Sequence, residues 1–400
     1  MRIGMFLHHR APLLTSPPSF IIKIPTRLSR KAGSISLVFY VPDGYQTALE
    51  GYRYPLVINF HGGGFTLGTG TDDARWARSV VNNVGAVLVS VEYRLAPKYP
   101  FSTGVEDGTD ALIYLAAHAD ELRLDPDHII LSGFSSGANL ALAIPFMLYD
   151  LRNGTGRHSL SSISSDPFEQ NDFQRSRTSV PLSEAYNMST QNIPLLTSLR
   201  TTDLETSQQI PQLTLRAIVS FYPPTDFRIP RAAKRASNSR PEFNLSSTLT
   251  DLFDEAYLSP AHTTTSLDLS DPYLSPAAAT DELLQAAYPQ LIILYTCEHD
   301  MLNAEGIVFS ERLKSPGVGK TVKGGLIKNV PHAFDKIPNP KRYAEVAERC
   351  YAEVCAELNN TAPCRRERLA DRTQLSSILD VARFENMSAD HNGGSRIPVD

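Results

Sequence analysis

A chain of 400 residues, 42% hydrophobic and 20% charged, carries enough apolar material for one large core or two ordinary ones. A formal net charge of -5 and a pI near 6.1 leave no basic field for nucleic acid. No apolar run approaches the roughly 18 residues that a membrane span requires.

The first acidic residue is Asp43, and Arg2, Arg10, Lys23, Arg27, Arg30 and Lys31 precede it, a distribution like that of an organellar transit segment. The segment lacks the apolar stretch and cleavage site of a secretory signal, and "SFIIKIP" (19–25) already reads as a first strand. Cys297, Cys350, Cys355 and Cys364 lack the C-x-x-C spacing of a metal site and read as free thiols in a reducing compartment. The expectation is a cytoplasmic protein, monomer or homodimer, with no metal and no cofactor.

Along the chain, apolar runs alternate with helical patterns. "ISLVFYV" (35–41), "PLVINF" (55–60), "AVLVSVEY" (86–93), "HIILSG" (128–133), "LRAIVSFY" (215–222) and "QLIILYT" (290–296) are continuous and rich in β-branched residues, as strands buried on both faces should be. Residues 105–122 and 135–151 carry helical spacing between them. Strands alternating with helices predict an α/β fold with a mostly parallel sheet covered on both faces. Residues 152–212, rich in Ser, Thr, Asn and Gln, read as a flexible insertion. Residues 228–288 mix polar residues and prolines with one short helix, "TLTDLFDEAYL" (248–258), the part 228–258 being cap-like, and residues 361–400 read as a disordered tail. The expected domain is therefore a single one over 20–360.

In an open α/β sheet the chemistry gathers beyond the carboxyl ends of the strands. After "PLVINF" comes His61-Gly62-Gly63-Gly64-Phe65, a glycine run whose backbone N–H groups can converge on an oxyanion. After "HIILS" comes a G-x-S-x-G. Of the three serines there, only Ser135 has glycines two residues before and after, Gly133 and Gly137; Ser132 falls in the strand and Ser136 is flanked by Phe134 and Ala138. The Ser136 N–H then becomes an oxyanion donor.

A serine hydroxyl needs a base and an orienting acid. After "QLIILYT" the chain runs Cys297-Glu298-His299-Asp300, so Glu298 and Asp300 are both possible by position. A metal site there is disfavoured, because consecutive side chains on a strand end diverge. "GGLIKNVPHAFD" supplies His332 after a last short strand. The order Ser…Asp/Glu…His, each at a strand end, outweighs a roleless loop histidine. "GVGKT" (317–321) fails as a phosphate loop, since its first glycine would fall at Lys314.

Here the chain resembles the hormone-sensitive-lipase-like branch of the α/β-hydrolase esterases. The resemblance covers roughly residues 20–150 and 213–357, through "HGGGF" (61–65), "EYRLAPKYPF" (92–101), "EDGTDAL" (106–112), "GFSSGANLA" (133–141), "LSP" (274–276), "EHDML" (298–302) and "PHAFD" (331–335). It implies Ser135 as nucleophile, Asp300 as acid, His332 as base, and an oxyanion hole from Gly62, Gly63 and Ser136. It also implies a small-molecule carboxylic ester of small or medium acyl chain as substrate. Phe65, Trp76 and Tyr222 are expected pocket walls, and Tyr93 and Arg94 structural residues. Phe134 departs from the acidic residue usual before the nucleophile, Ser136 from the small residue usual after it, and Ala138 from a second glycine. Only about 20 residues precede the first strand, so the cap is expected to be reduced or supplied by 152–212 and 228–258. Two other activities fit the same acyl-enzyme, an acyltransferase and a thioester hydrolase. A non-catalytic receptor of this fold would lack a triad member, and all three are present here.

Overall fold

The apolar runs fold as the strands they predict, because each must bury both faces of its pleat. The computed structural model describes residues 17–155, 210–258, 267–336 and 340–361. They form an eight-stranded sheet in the order β1-β2-β4-β3-β5-β6-β7-β8. Strand β1 (Phe20–Pro25) pairs antiparallel with β2 (Ser34–Tyr40), which pairs antiparallel with β4 (Val87–Glu92). The remainder is parallel: β4, β3 (Tyr54–Phe60), β5 (Leu124–Phe134), β6 (Leu215–Phe221), β7 (Leu291–His299) and β8 (Thr321–Pro331).

The helices are α1 (Ala74–Val84), α2 (Thr103–Ala117), α3 (Ser136–Asn153), α4 (Arg231–Ala236), α5 (Ser247–Leu258), α6 (Asp281–Ala287), α7 (Asn303–Lys314) and α8 (Pro340–Thr361). Successive side chains of a strand point to opposite faces. Accordingly Leu56, Ile58 and Phe60 of β3 face a layer built by α2, α3, α6 and α7, while Val57 faces α1 and α8. Ile129 and Leu131 of β5 likewise face the first layer and Ile130 the second.

Differences from expectation have local causes. The helix expected over 105–122 stops at Ala117, because the Arg123 side chain draws the following turn away by donating to the carbonyls of Tyr45 (3.2 Å) and Ala48 (2.8 Å). Strand β7 runs to His299, three residues beyond the expected end, and leaves Asp300 as the first residue outside it. Most of the insertion expected at 152–212 (156–209), the tail after Thr361 and the first 16 residues lie outside the described residues.

Two carboxylates of α2 tie the segments around the sheet's antiparallel end. Asp107 takes the Arg94 backbone N–H and its guanidinium, while Arg94 Nη1 donates to the Lys31 carbonyl at 2.6 Å. Arg94 thus ties the loop after β1 to α2. Asp110 Oδ2 accepts from the backbone N–H of Arg27 (2.8 Å) and Leu28 (3.1 Å). Burial outweighs those bonds and pushes the Asp110 carboxyl up to about 7.

The native chain therefore keeps a proton on Asp110 where the unfolded chain has lost it. From about pH 4 to 7 this lowers stability by up to about 1.4 kcal/mol per unit as pH rises. Asp110→Asn keeps an acceptor and removes the titration. Its urea midpoint should fall less than that of the wild type between pH 5 and pH 8; parallel curves would show that Asp110 is ionised throughout.

Candidate active site

Strand β5 meets α3 in a turn that side chains cannot enter. A Cβ at Gly133 would stand 2.2 Å from the Gly137 carbonyl oxygen, and one at Gly137 would stand 2.0 Å from that of Phe60. Ser135 between them is forced to φ 52°, ψ -118°, a conformation that non-glycine residues rarely adopt. Its backbone N–H is held by the Phe221 carbonyl of β6 at 2.9 Å.

The three serines now separate. Ser132 Oγ donates to Asn59 Oδ1 (2.9 Å) and accepts from Trp76 Nε1 (3.2 Å), inside the core. Ser136 starts α3 and is buried. Ser135 Oγ lies 2.9 Å from His332 Nε2.

His332 follows β8, and its Nδ1 lies 2.7 Å from Asp300 Oδ2. Asp300 is 1% exposed and its other oxygen accepts the Leu302 N–H at 3.0 Å. With Nδ1–H donating to Asp300, Nε2 is left to accept the Ser135 hydroxyl proton. The other carboxylate of "CEHD" is engaged elsewhere: Glu298 accepts the Asn329 N–H at 2.7 Å. Cys297 is buried and His299 stacks on Phe243 at 5.4 Å, so the four consecutive side chains diverge.

The loop after β3 lies against this turn. A Cβ at Gly62 would be 3.0 Å from the Phe134 carbonyl oxygen and 3.5 Å from Ser135 Cβ. The loop is propped by Tyr93, which stacks on His61 at 4.3 Å and donates to its carbonyl at 2.8 Å. Gly62, Gly63 and Ser136 share with Ser135 and His332 the wall of a cavity of about 130 Å³. Phe65 and Tyr222 also line it. Trp76 does not, and that expectation is corrected: the indole is fully buried between Phe221 and Tyr351, because α1 turns this face toward the sheet and not the cavity. Helix α5 supplies Leu249, Phe253 and Tyr257 to the wall, and α4 supplies Arg231.

A sequence profile described as alpha/beta hydrolase fold matches residues 57–336. The chain belongs to that family. Its motifs belong to the hormone-sensitive-lipase-like branch. An AB hydrolase superfamily protein of Schizosaccharomyces pombe is 33% identical over 141 residues, 35% of this chain and 40% of that one. An arylesterase of Saccharolobus solfataricus is 38% identical over 95 residues, 24% of this chain and 31% of its own. The chain thus spans less than half the length of these curated relatives. The hyperthermophilic esterase of Pyrobaculum calidifontis superposes with a TM-score of 0.60 at 23% identity, covering 91% of this chain and 90% of that one, a likeness of fold.

In this α/β hydrolase one element of the cavity wall escaped sequence reasoning. Lys336 lies over the Phe134 ring, 3.9 Å from its centroid, in front of the nucleophile turn. Its ammonium pairs with Asp73 Oδ1 at 2.6 Å and Asp335 Oδ2 at 3.0 Å. Asp335 also accepts from Tyr222 (2.5 Å) and Tyr351 (2.6 Å), while Asp73 accepts from Asn59 at 2.8 Å. The two carboxyls shift oppositely. Burial pushes Asp335 up, but Lys336 and the two phenols pull it further down, for a net shift downward. At Asp73, with one fewer donor and Asp72 beside it, burial wins and the net shift is upward.

Since Asp335 is depressed, its stabilisation is complete above the usual carboxylate range and is lost as pH falls through its folded value. Asp335→Asn should cost about 3 kcal/mol at pH 7, the low end for a broken buried pair because Lys336 retains Asp73. The gap to the wild type in urea titrations should narrow toward pH 3. A constant gap would mean that the loss is one of packing alone.

Proposed function

We propose that this chain is a carboxylesterase-type serine hydrolase acting on carboxylic esters of small or medium acyl chains. The observation that carries the reading is the relay Ser135 Oγ–His332 Nε2 at 2.9 Å and His332 Nδ1–Asp300 Oδ2 at 2.7 Å, opening on a cavity. In this reading His332 takes the Ser135 proton as Oγ attacks the ester carbonyl. The N–H groups of Gly62, Gly63 and Ser136 hold the oxyanion, each such donor being worth about 3 kcal/mol. His332 returns the proton to the departing alcohol. It then draws a proton from water, which attacks the acyl carbonyl, and passes that proton to Ser135 Oγ as the acyl–oxygen bond breaks and the acid leaves, while Asp300 keeps the ring's tautomer and orientation.

The same proposal treats 20–360 as one hydrolase domain whose cap comes from 228–258, supported by the α5 side chains in the cavity wall. It takes the protein as a monomer or homodimer. Buried free thiols at Cys297, Cys350 and Cys355 support a reducing, cytoplasmic setting.

Purified wild type and variants on p-nitrophenyl esters test the roles. Ser135→Ala and His332→Ala should lose about 10⁴-fold or more in kcat/KM, and Asp300→Asn about 10⁴-fold. Ser136→Ala and Glu298→Gln should keep most of the activity, because neither side chain touches the relay. Ser135→Ala protein that hydrolyses at the wild-type rate would end the proposal.

A further inference from the structure

The cavity's size and the residue at its end bear on which acyl group it takes, given the serine-hydrolase reading above. His332 hands its proton to the leaving alcohol, so the alcohol lies on the His332 side and the acyl group on the side away from it. His332 has Tyr222 as its ring neighbour, at 4.9 Å. The same cavity wall carries a block of aromatic rings: Tyr257 lies flat on Phe65, with centroids 3.7 Å apart and planes 2° from parallel. Phe253 rests directly on the glycine loop, so close that a Cβ at Gly64 would meet its ring at 2.3 Å. Backbone and ring thus touch where an acyl chain would otherwise continue past the loop.

Phe253 is also fixed in place. Arg231 holds the neighbouring Asp254 with two bonds, at 2.8 and 2.7 Å, and the Phe101 N–H donates to the Tyr257 carbonyl at 2.9 Å. Helix α5 is therefore pinned to α4 on one side and to the segment before α2 on the other, so Phe253 forms a fixed wall. The cavity volume is about 130 Å³. A cavity of roughly 150 Å³ takes one benzene-sized guest. Once the ester group is seated beside Ser135, room remains for an acyl chain of about two to four carbons.

From these contacts we infer that the substrates are short-acyl esters and that Phe253 is the residue that ends the acyl pocket. It selects by steric exclusion and touches no reacting atom, so its effect falls on the ranking of substrates and not on the relay.

The test is kcat/KM on p-nitrophenyl acetate, butyrate, hexanoate and octanoate for wild type, Phe253→Ala, Phe253→Leu and Leu252→Ala. Leu252 is exposed, next to Phe253 on the outer face of α5. The wild type should peak at acetate or butyrate. Phe253→Ala should move the peak to hexanoate or octanoate and raise the octanoate-to-acetate ratio at least about tenfold, the lower range for methylene discrimination in an apolar pocket. Phe253→Leu should fall between, and Leu252→Ala should keep the wild-type ratio. The ratio is independent of the fraction of folded enzyme, and Phe253→Leu carries the test if the alanine variant does not fold. A wild-type peak at octanoate overturns the short-acyl assignment, and unchanged profiles in both Phe253 variants overturn the role of Phe253. Both are distinct from a failure of the hydrolase reading itself, which would appear as no Ser135-dependent hydrolysis of any ester and would remove this inference with it.

Discussion

Everything at the site depends on three backbones meeting without side chains between them. The carbonyl of Phe60 at the end of β3, the Gly133 position at the end of β5 and the first turn of α3 at Gly137 approach to distances at which any Cβ would overlap a carbonyl. That closeness turns the chain sharply at Ser135 and lifts its hydroxyl clear of the sheet. A positive φ in a serine costs on the order of 1–3 kcal/mol and persists only where the surroundings over-determine it. Here they do, because the Ser135 N–H is bound to β6 and the Ser135 carbonyl accepts the Asn139 N–H of α3 at 3.1 Å. The remaining site residues are then placed by parallel strands in register: Asp300 and His332 leave β7 and β8 at the same edge as Ser135 leaves β5.

The second constraint is charge in a dry interior. A buried ammonium is tolerated only with partners, and Lys336 has two carboxylates and an aromatic face. The network joins the start of α1, the turn after His332, and α8 through Tyr351. It thereby fixes the His332 turn to the layer behind the sheet, and through Tyr222 it reaches the His332 ring, 4.9 Å away. It also gives a physical account of Phe134, where the family resemblance leads to the expectation of an acid: a ring offers the ammonium a surface without adding a third carboxylate beside the nucleophile. A second buried pair, Lys234 with Glu305 at 2.5 Å, ties α4 to α7.

Much of this was legible because strand ends are legible. β3, β5 and β7 are continuous apolar runs, and the first residues beyond them are the glycine loop, Ser135 and, three residues on, Asp300. Spacing alone left Glu298 and Asp300 open, since both leave the same strand end; a single hydrogen bond from Asn329 separates them. Trp76 misled because an aromatic near a glycine loop looks like a pocket wall, whereas the facing of α1 is settled by its packing on Phe221 and Tyr351. Lys336 was not legible at all. A lysine reads as a solvated residue, and its burial follows from Asp73, distant in sequence and brought near only by the fold. Phe253 was readable as part of a helix, but not as a neighbour of Gly64, for the same reason.

The charges around the cavity have a consequence for the proposed substrate. Arg231 is bonded to Asp254 and Lys336 to Asp73 and Asp335, while His332, neutral with its Nδ1–H on Asp300, leaves carboxylates in excess. With these cations already held by carboxylates, an anionic substrate would lose its hydration with few compensating contacts. A neutral ester loses much less on entry. Its carbonyl acquires negative charge only as Ser135 adds to it, and under the proposed mechanism the oxyanion donors Gly62, Gly63 and Ser136 act on that developing charge alone. Such a wall discriminates between ground state and transition state, which is the requirement for raising kcat and not merely lowering KM.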